Sequence, residues 1–100
     1  MLGDLAIDYE RRRVSLAGRG LELTATEYEL LRVLSRHAGK VVARETLFRQ
    51  VWGDRHSDSA IAARTNVKRL RRKLGDDAVR PTYILNERGV GYRMPAPSDP

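Results

Sequence analysis

Between Ile61 and Leu74 the chain places six basic side chains (Arg64, Lys68, Arg69, Arg71, Arg72 and Lys73) and no acidic one. The 100-residue chain carries a formal net charge of +6, yet residues 1–60 account for only +1 and residues 75–100 for −1. The excess sits in fourteen residues, whereas soluble surfaces usually intersperse the two signs. Cations concentrated in this way are the electrostatic footprint of a surface that binds a polyanion. Other chemistry is poorly supplied. There is no cysteine, which removes disulfides, thiolate metal ligands and cysteine nucleophiles. His37 and His56 are the only histidines; neither stands in a Ser/Asp constellation, and no glycine-rich phosphate loop occurs. The sequence therefore predicts no enzyme, no cofactor and no metal site.

Helical spacing organises the basic segment. Ala60, Ala63, Val67, Leu70 and Leu74 form one apolar stripe, and Ala62, Thr65, Asn66 and Arg69 recur at the same interval on the opposite face, flanked by Lys68, Arg71 and Arg72. A helix about 10–12 Å across fits the major groove of B-DNA, whose base edges offer donors and acceptors. Arg69 suits a bidentate pair with guanine, Asn66 the corresponding pair with adenine, and the Thr65 methyl suits thymine. Arg64 lies off that face, which assigns it a structural or phosphate role. Arg71 and Arg72 admit two readings, phosphate contact or an ion pair with Asp76 or Asp77.

The elements that must hold this helix are also legible. Leu5 and Ile7, then Val14 and Leu16, then Leu21 and Leu23 alternate with polar neighbours, predicting three short antiparallel strands, with a turn from Gly18 and Gly20 before the third. A fourth strand is expected near Val41 and Val42. Thr24 and Glu27 fit a capping box ahead of Tyr28, Leu31, Leu34 and Ala38 at helical spacing, with His37 near the end and Gly39 as the stop. Arg44–Trp52 reads as a second helix with Leu47, Phe48, Val51 and Trp52 on one face; Trp52 is expected in the core with its indole N–H at the surface. Asp58 or Ser59 is placed to cap the basic helix, and Gly75 to end it. Tyr83–Asn86 and Gly91–Met94 read as a hairpin, with Arg88 at its tip as a minor-groove or phosphate probe. Helix, turn, helix and hairpin in this order predict an α+β winged helix-turn-helix: an N-terminal antiparallel sheet, a three-helix bundle and a C-terminal hairpin wing. It occupies one domain, residues 1–94, with an irregular proline-bearing tail at 95–100. No apolar run approaches the roughly 20 residues a bilayer span needs, and nothing at Met1 resembles a signal peptide, so a soluble cytoplasmic domain without membrane contact is expected.

The stretches LTATEYELL (Leu23–Leu31), VVARETLFRQVWG (Val41–Gly53), RLRRKL (Arg69–Leu74) and ERGVGYRM (Glu87–Met94) resemble the C-terminal effector domain of OmpR/PhoB-type response regulators. The likeness runs in order over residues 4–94. It implies sequence-specific binding of double-stranded DNA, a four-stranded N-terminal sheet, a third helix in the major groove and a wing beside it. By position it implies base contacts from Ala62, Thr65, Asn66 and Arg69. It likewise implies phosphate or wing contacts from Arg44, Trp52, Lys68, Arg71, Arg72, Asn86, Arg88 and Tyr92. Further implications are tandem protomers on direct repeats of DNA and RNA polymerase contact through loop 53–59; the sequence itself leaves no long apolar stripe for an obligate dimer, so the isolated domain is expected to be monomeric. A receiver domain, absent from these 100 residues, and a sensor kinase would belong to the full-length protein.

Two departures from the family pattern matter. Ala43 precedes the second helix where family members commonly carry Ser or Thr, a cap worth about 1 kcal/mol. Ile61 and Ala62 open the reading helix where many members have Arg or Thr, shifting readout from hydrogen bonds toward apolar contact with thymine methyls. Of the competing functions, a protein-interaction module with only non-specific nucleic-acid affinity would use the loop and the strand face. A non-specific RNA binder lacks an exposed aromatic platform, Phe48 being the only phenylalanine. Arg11, Arg12 and Arg13 suggest a second patch, but Asp8 and Glu10 beside them favour a solvated or interdomain surface.

Overall fold

The computed structural model describes residues 4–53, 59–76 and 82–96, with the backbone alone at 59 and 60. Three antiparallel strands come first, β1 (Leu5–Asp8), β2 (Arg13–Leu16) and β3 (Arg19–Leu21), in that spatial order. Leu5 and Val14 are buried beneath the sheet, and Ile7, Leu16 and Leu21 pack at its margin. The second turn departs from expectation. Leu16 pairs with Arg19, so the loop is Ala17-Gly18, whose φ values of 52° and 81° are the pair of positive dihedrals a type I′ hairpin requires. Gly20 lies inside β3 opposite Ser15, and Leu23 falls beyond the strand.

Helix α1 (Ala25–Arg36) begins with the expected capping box: Glu27 N donates to Thr24 Oγ1 at 3.1 Å and Thr24 N donates to Glu27 Oε1 at 3.0 Å. Those bonds satisfy orphan donors of the first turn and set the chain direction for the core-forming residues Tyr28, Leu30, Leu31, Val33 and Leu34. His37 follows as the C-terminal cap residue. Strand β4 (Val41–Ala43) leads directly into α2 (Arg44–Trp52), which buries Leu47 and Phe48. Helix α3 (Ser59–Leu74) packs on both, burying Ala63, Val67, Leu70 and Leu74 as the periodicity required. The proposed cap Asp58 and the Ala60 side chain lie outside the described residues, as do Asp77, His56 and the last four residues of the tail.

The wing is a hairpin of β5 (Leu85–Glu87) and β6 (Gly91–Arg93); β5 starts two residues later than expected and ends one later, and β6 ends one residue earlier. Val90 N donates to Glu87 O at 2.9 Å and Gly89 takes φ 77°, closing the turn Arg88-Gly89-Val90. The fourth N-terminal strand is corrected: among the described residues that sheet has three strands, and β4 pairs with β6 in the order β4-β6-β5. Val42 lies opposite Tyr92, and Gly39 N reaches Met94 O at 2.6 Å, so the chain leaving α1 runs along the wing.

Candidate nucleic-acid interface

Helix α3 exposes Ile61, Arg64, Thr65, Lys68, Arg69 and Arg72 on the side away from its buried stripe. At about 100° per residue, Ile61, Thr65 and Arg72 fall near the centre of that face. Ala62 and Asn66 are half-buried along one flank, and Arg71 is half-buried along the other, beside Arg64. Asn66 Nδ2 donates one hydrogen to Ala62 O at 2.8 Å. The bond fixes the amide on the helix while leaving Oδ1 and the second N–H available. Ile61 is 72% exposed, and Val90 on the wing turn is 52% exposed.

Two basic residues of α3 are braces. Arg71 donates through Nε and Nη2 to Ile84 O at 3.2 and 2.8 Å, tying α3 to the segment entering the wing. The ion pair with Asp76 does not form, because the Asp76 carboxylate accepts the backbone N–H groups of Thr82, Tyr83 and Ile84 instead. Burial with Asp4 and Asp76 nearby raises the Tyr83 phenol above its ordinary range. Lys73 Nζ donates to Glu27 Oε1 at 2.6 Å and to Glu22 O at 2.8 Å. Of the six cations of α3, only Lys73 is in an ion pair among the described residues.

Wing and helices meet in a cleft of about 190 Å³ lined by Arg44, Arg64, Asn86, Arg88 and Tyr92 among others. Arg88 is exposed at the wing turn, Asn86 is exposed on β5, and Tyr92 is 8% exposed. Arg44 opens α2, and its N–H donates to Val90 O at 3.0 Å. The wing turn thereby supplies an acceptor where Ala43 has no capping side chain. Gly91 is indispensable to this junction, since a Cβ there would overlap the Val42 carbonyl oxygen and stand 3.0 Å from Arg44 N. Trp52 is half-buried, edge-on to Phe48 with ring centroids 6.1 Å apart. The helical angle of Arg64 sets it apart from Thr65 and Asn66, and the long-range pairing that positions the wing brings it into this cleft.

The arginines of the β1–β2 turn are engaged elsewhere. Arg12 lies 3.0 Å from Glu29 and stacks over the Tyr28 ring at 4.4 Å, and Arg11 is 4.0 Å from Asp8. Burial pushes the Glu29 carboxyl up, but Arg32 and Arg12 outweigh it and hold the group below its ordinary value. Among the described residues no cluster of metal-ligating side chains occurs, and no helix is long and apolar enough to cross a membrane.

Residues 18–94 match the family model described as transcriptional regulatory protein, C terminal. The DNA-binding response regulator MtrA of Mycolicibacterium smegmatis is 38% identical over 96% of the chain. That alignment covers 42% of MtrA, so the chain spans about two-fifths of the length of this curated relative. The RstA DNA-binding domain of Klebsiella pneumoniae, crystallised in complex with the RstA box, superposes with a TM-score of 0.86 at 30% identity, covering 95% of this chain and 94% of that one. DrrB of Thermotoga maritima, an OmpR/PhoB homologue, gives a TM-score of 0.83 at 40% identity over 96% of this chain and 43% of its own.

Proposed function

The chain belongs to the transcriptional regulatory C-terminal family as the DNA-binding effector domain of an OmpR/PhoB-type response regulator, and from that premise we propose how it holds DNA. Helix α3 enters the major groove and directs Thr65, Asn66 and Arg69, with Ala62 at the flank, to base edges. Lys68 and Arg72 on α3, and Arg44 and Trp52 on α2, meet phosphates on either side. Arg71 meets one through its remaining N–H groups while bracing Ile84. Asn86, Arg88 and Tyr92 bring the wing onto the adjacent backbone and minor groove. Phosphate contacts fix register and base contacts carry sequence, so the two sets have separable effects.

The observation that carries this reading is the uncompensated charge of α3. Five of its six cations have no acidic partner among the described residues, and four of those five, Arg64, Lys68, Arg69 and Arg72, are exposed. Such a face repels itself in the free protein and is neutralised by a polyanion that displaces its own counterions.

In the whole protein the domain works in tandem on direct repeats, under a receiver domain addressed by a sensor kinase, in the cytoplasm. Loop 53–59 is the candidate contact for RNA polymerase, and the isolated domain is monomeric. A fluorescence-anisotropy titration of a labelled duplex from ~50 to ~200 mM salt tests the reading. It predicts a steep negative slope of log affinity against log salt. Absence of binding at the lowest salt refutes it.

A further inference from the structure

We infer that the cleft between the start of α2, the flank of α3 and the wing seats a single phosphate group, with Arg64 as its third arm. This rests on the DNA-binding reading above and adds to it a residue and a binding geometry. Arg44, Arg64 and Arg88 come from three separate elements and line one cavity of about 190 Å³. All three are exposed, and none forms an ion pair among the described residues. The cleft's one carboxylate, Glu87, is held by Arg93 Nε at 2.9 Å and is thereby drawn toward the opposite end of the hairpin. The Tyr92 hydroxyl makes no hydrogen bond among the described residues, and Asn86 adds a second neutral polar group to the lining.

Three guanidinium groups around so small a space raise its potential, and the positive end of the nine-residue α2 adds to it. The volume corresponds to about six waters at their share in the liquid, enough for a phosphate group to displace several with its own oxygens. Guanidinium forks match phosphate oxygens in pairs, so arginine suits this task better than lysine. Arg64 stands about a quarter-turn or more from Thr65 and Asn66, toward the wing, where base edges are out of its reach. The ligand chemistry is a phosphate anion, from a DNA backbone or free in solution.

Two arms separate those sources. In the first, Arg64→Ala and the control Lys68→Ala are titrated with the labelled duplex across ~50 to ~200 mM salt. The seat predicts that Arg64→Ala lowers the slope by about one for every sequence alike, so the loss of affinity over that range shrinks by roughly three- to fourfold. Arg64→Ala with Arg88→Ala should cost less than the sum of the two, because they share one ligand. In the second arm, inorganic phosphate is titrated into the protein alone while the arginine Nε–Hε resonances are followed by NMR. Joint shifts of Arg44, Arg64 and Arg88, weakened at the other two by Arg64→Ala, establish the seat for the free anion even if duplex binding fails. A slope change without such shifts assigns the seat to backbone phosphate alone. Wild-type slope and affinity in Arg64→Ala, with Lys68→Ala impaired and no joint shifts, overturns the seat and leaves DNA binding standing.

Discussion

The Lys73 ammonium lies 2.6 Å from Glu27 Oε1, joining the last turn of α3 to the first turn of α1. Glu27 is 1% exposed, and the same oxygen accepts Thr24 N, so one carboxylate caps a helix and anchors another. Removing Lys73 would strand a buried charge. The cost lies between that of breaking a fully buried pair and an exposed one, because the Lys73 side chain is 36% exposed. Lys73→Ala should destabilise the domain by about 2 kcal/mol in urea unfolding. A loss within about 0.3 kcal/mol would show that the pair contributes little.

The same carboxylate sets an acid limit. Burial pushes Glu27 up, but the Lys73 hydrogen bond and the Thr24 N–H more than offset this, leaving its pKa below the ordinary value of 4.5. A folded-state pKa below the unfolded one contributes stability that is complete above the unfolded value and is lost as pH falls through the folded one. Glu29 acts in the same direction. Stability should therefore decline from about pH 4.5 downward, and Glu27→Gln should flatten that limb while lowering stability at neutral pH. An unchanged acid limb in Glu27→Gln would remove Glu27 from this role.

The β2–β3 turn stores strain that one substitution should release. Ala17 holds φ 52°, a conformation costing an L-residue with a bare Cβ roughly 1 kcal/mol, whereas Asn is a favoured type I′ residue. Ala17→Asn should raise stability by about 0.5 kcal/mol without altering DNA affinity. Destabilisation in thermal unfolding would mean the turn geometry is otherwise.

At the wing junction the reverse holds. Gly91→Ala drives a methyl into the Val42 carbonyl between β4 and β6, where backbone on both sides limits relief. The expected loss is about 3 kcal/mol or an unpaired wing, read as lost hydrogen-exchange protection at Val42 and Tyr92. A wild-type exchange pattern would contradict this.

Ile61 offers a test of apolar readout. If its exposed side chain meets a thymine methyl, replacing that thymine with uracil in a selected site should weaken binding about three- to fourfold, the worth of one buried methyl group. The penalty should vanish in Ile61→Ala. An equal uracil penalty in both proteins would assign the methyl to another residue.

What was legible in the sequence follows from the range of the interactions involved. The Thr24–Glu27 box and the stripe Ala63, Val67, Leu70 and Leu74 are written within one or two turns, so periodicity located them. Arg44–Trp52 was legible for the same reason. The β2–β3 turn was misplaced because alanine at a positive φ opposes its own propensity, and only strand register reveals it. The carboxylates near Arg71 in the sequence suggest an ion pair, yet its partner is a backbone carbonyl thirteen residues away, which composition cannot signal. The pairing of β4 with β6 spans about half the chain, and with it the cleft that gathers Arg44, Arg64 and Arg88.

Base reading by α3 is the central claim, and the direct test compares Asn66→Ala with Lys68→Ala on the preferred site and on each single-base variant of it. The account predicts that Asn66→Ala loses preference at one position by about 1–3 kcal/mol and leaves the other positions ranked as before. Lys68→Ala should weaken every sequence alike and lower the salt slope by about one. If both substitutions weaken all sequences equally and no position loses its preference, α3 does not read bases through Asn66, and the proposed arrangement on DNA is wrong.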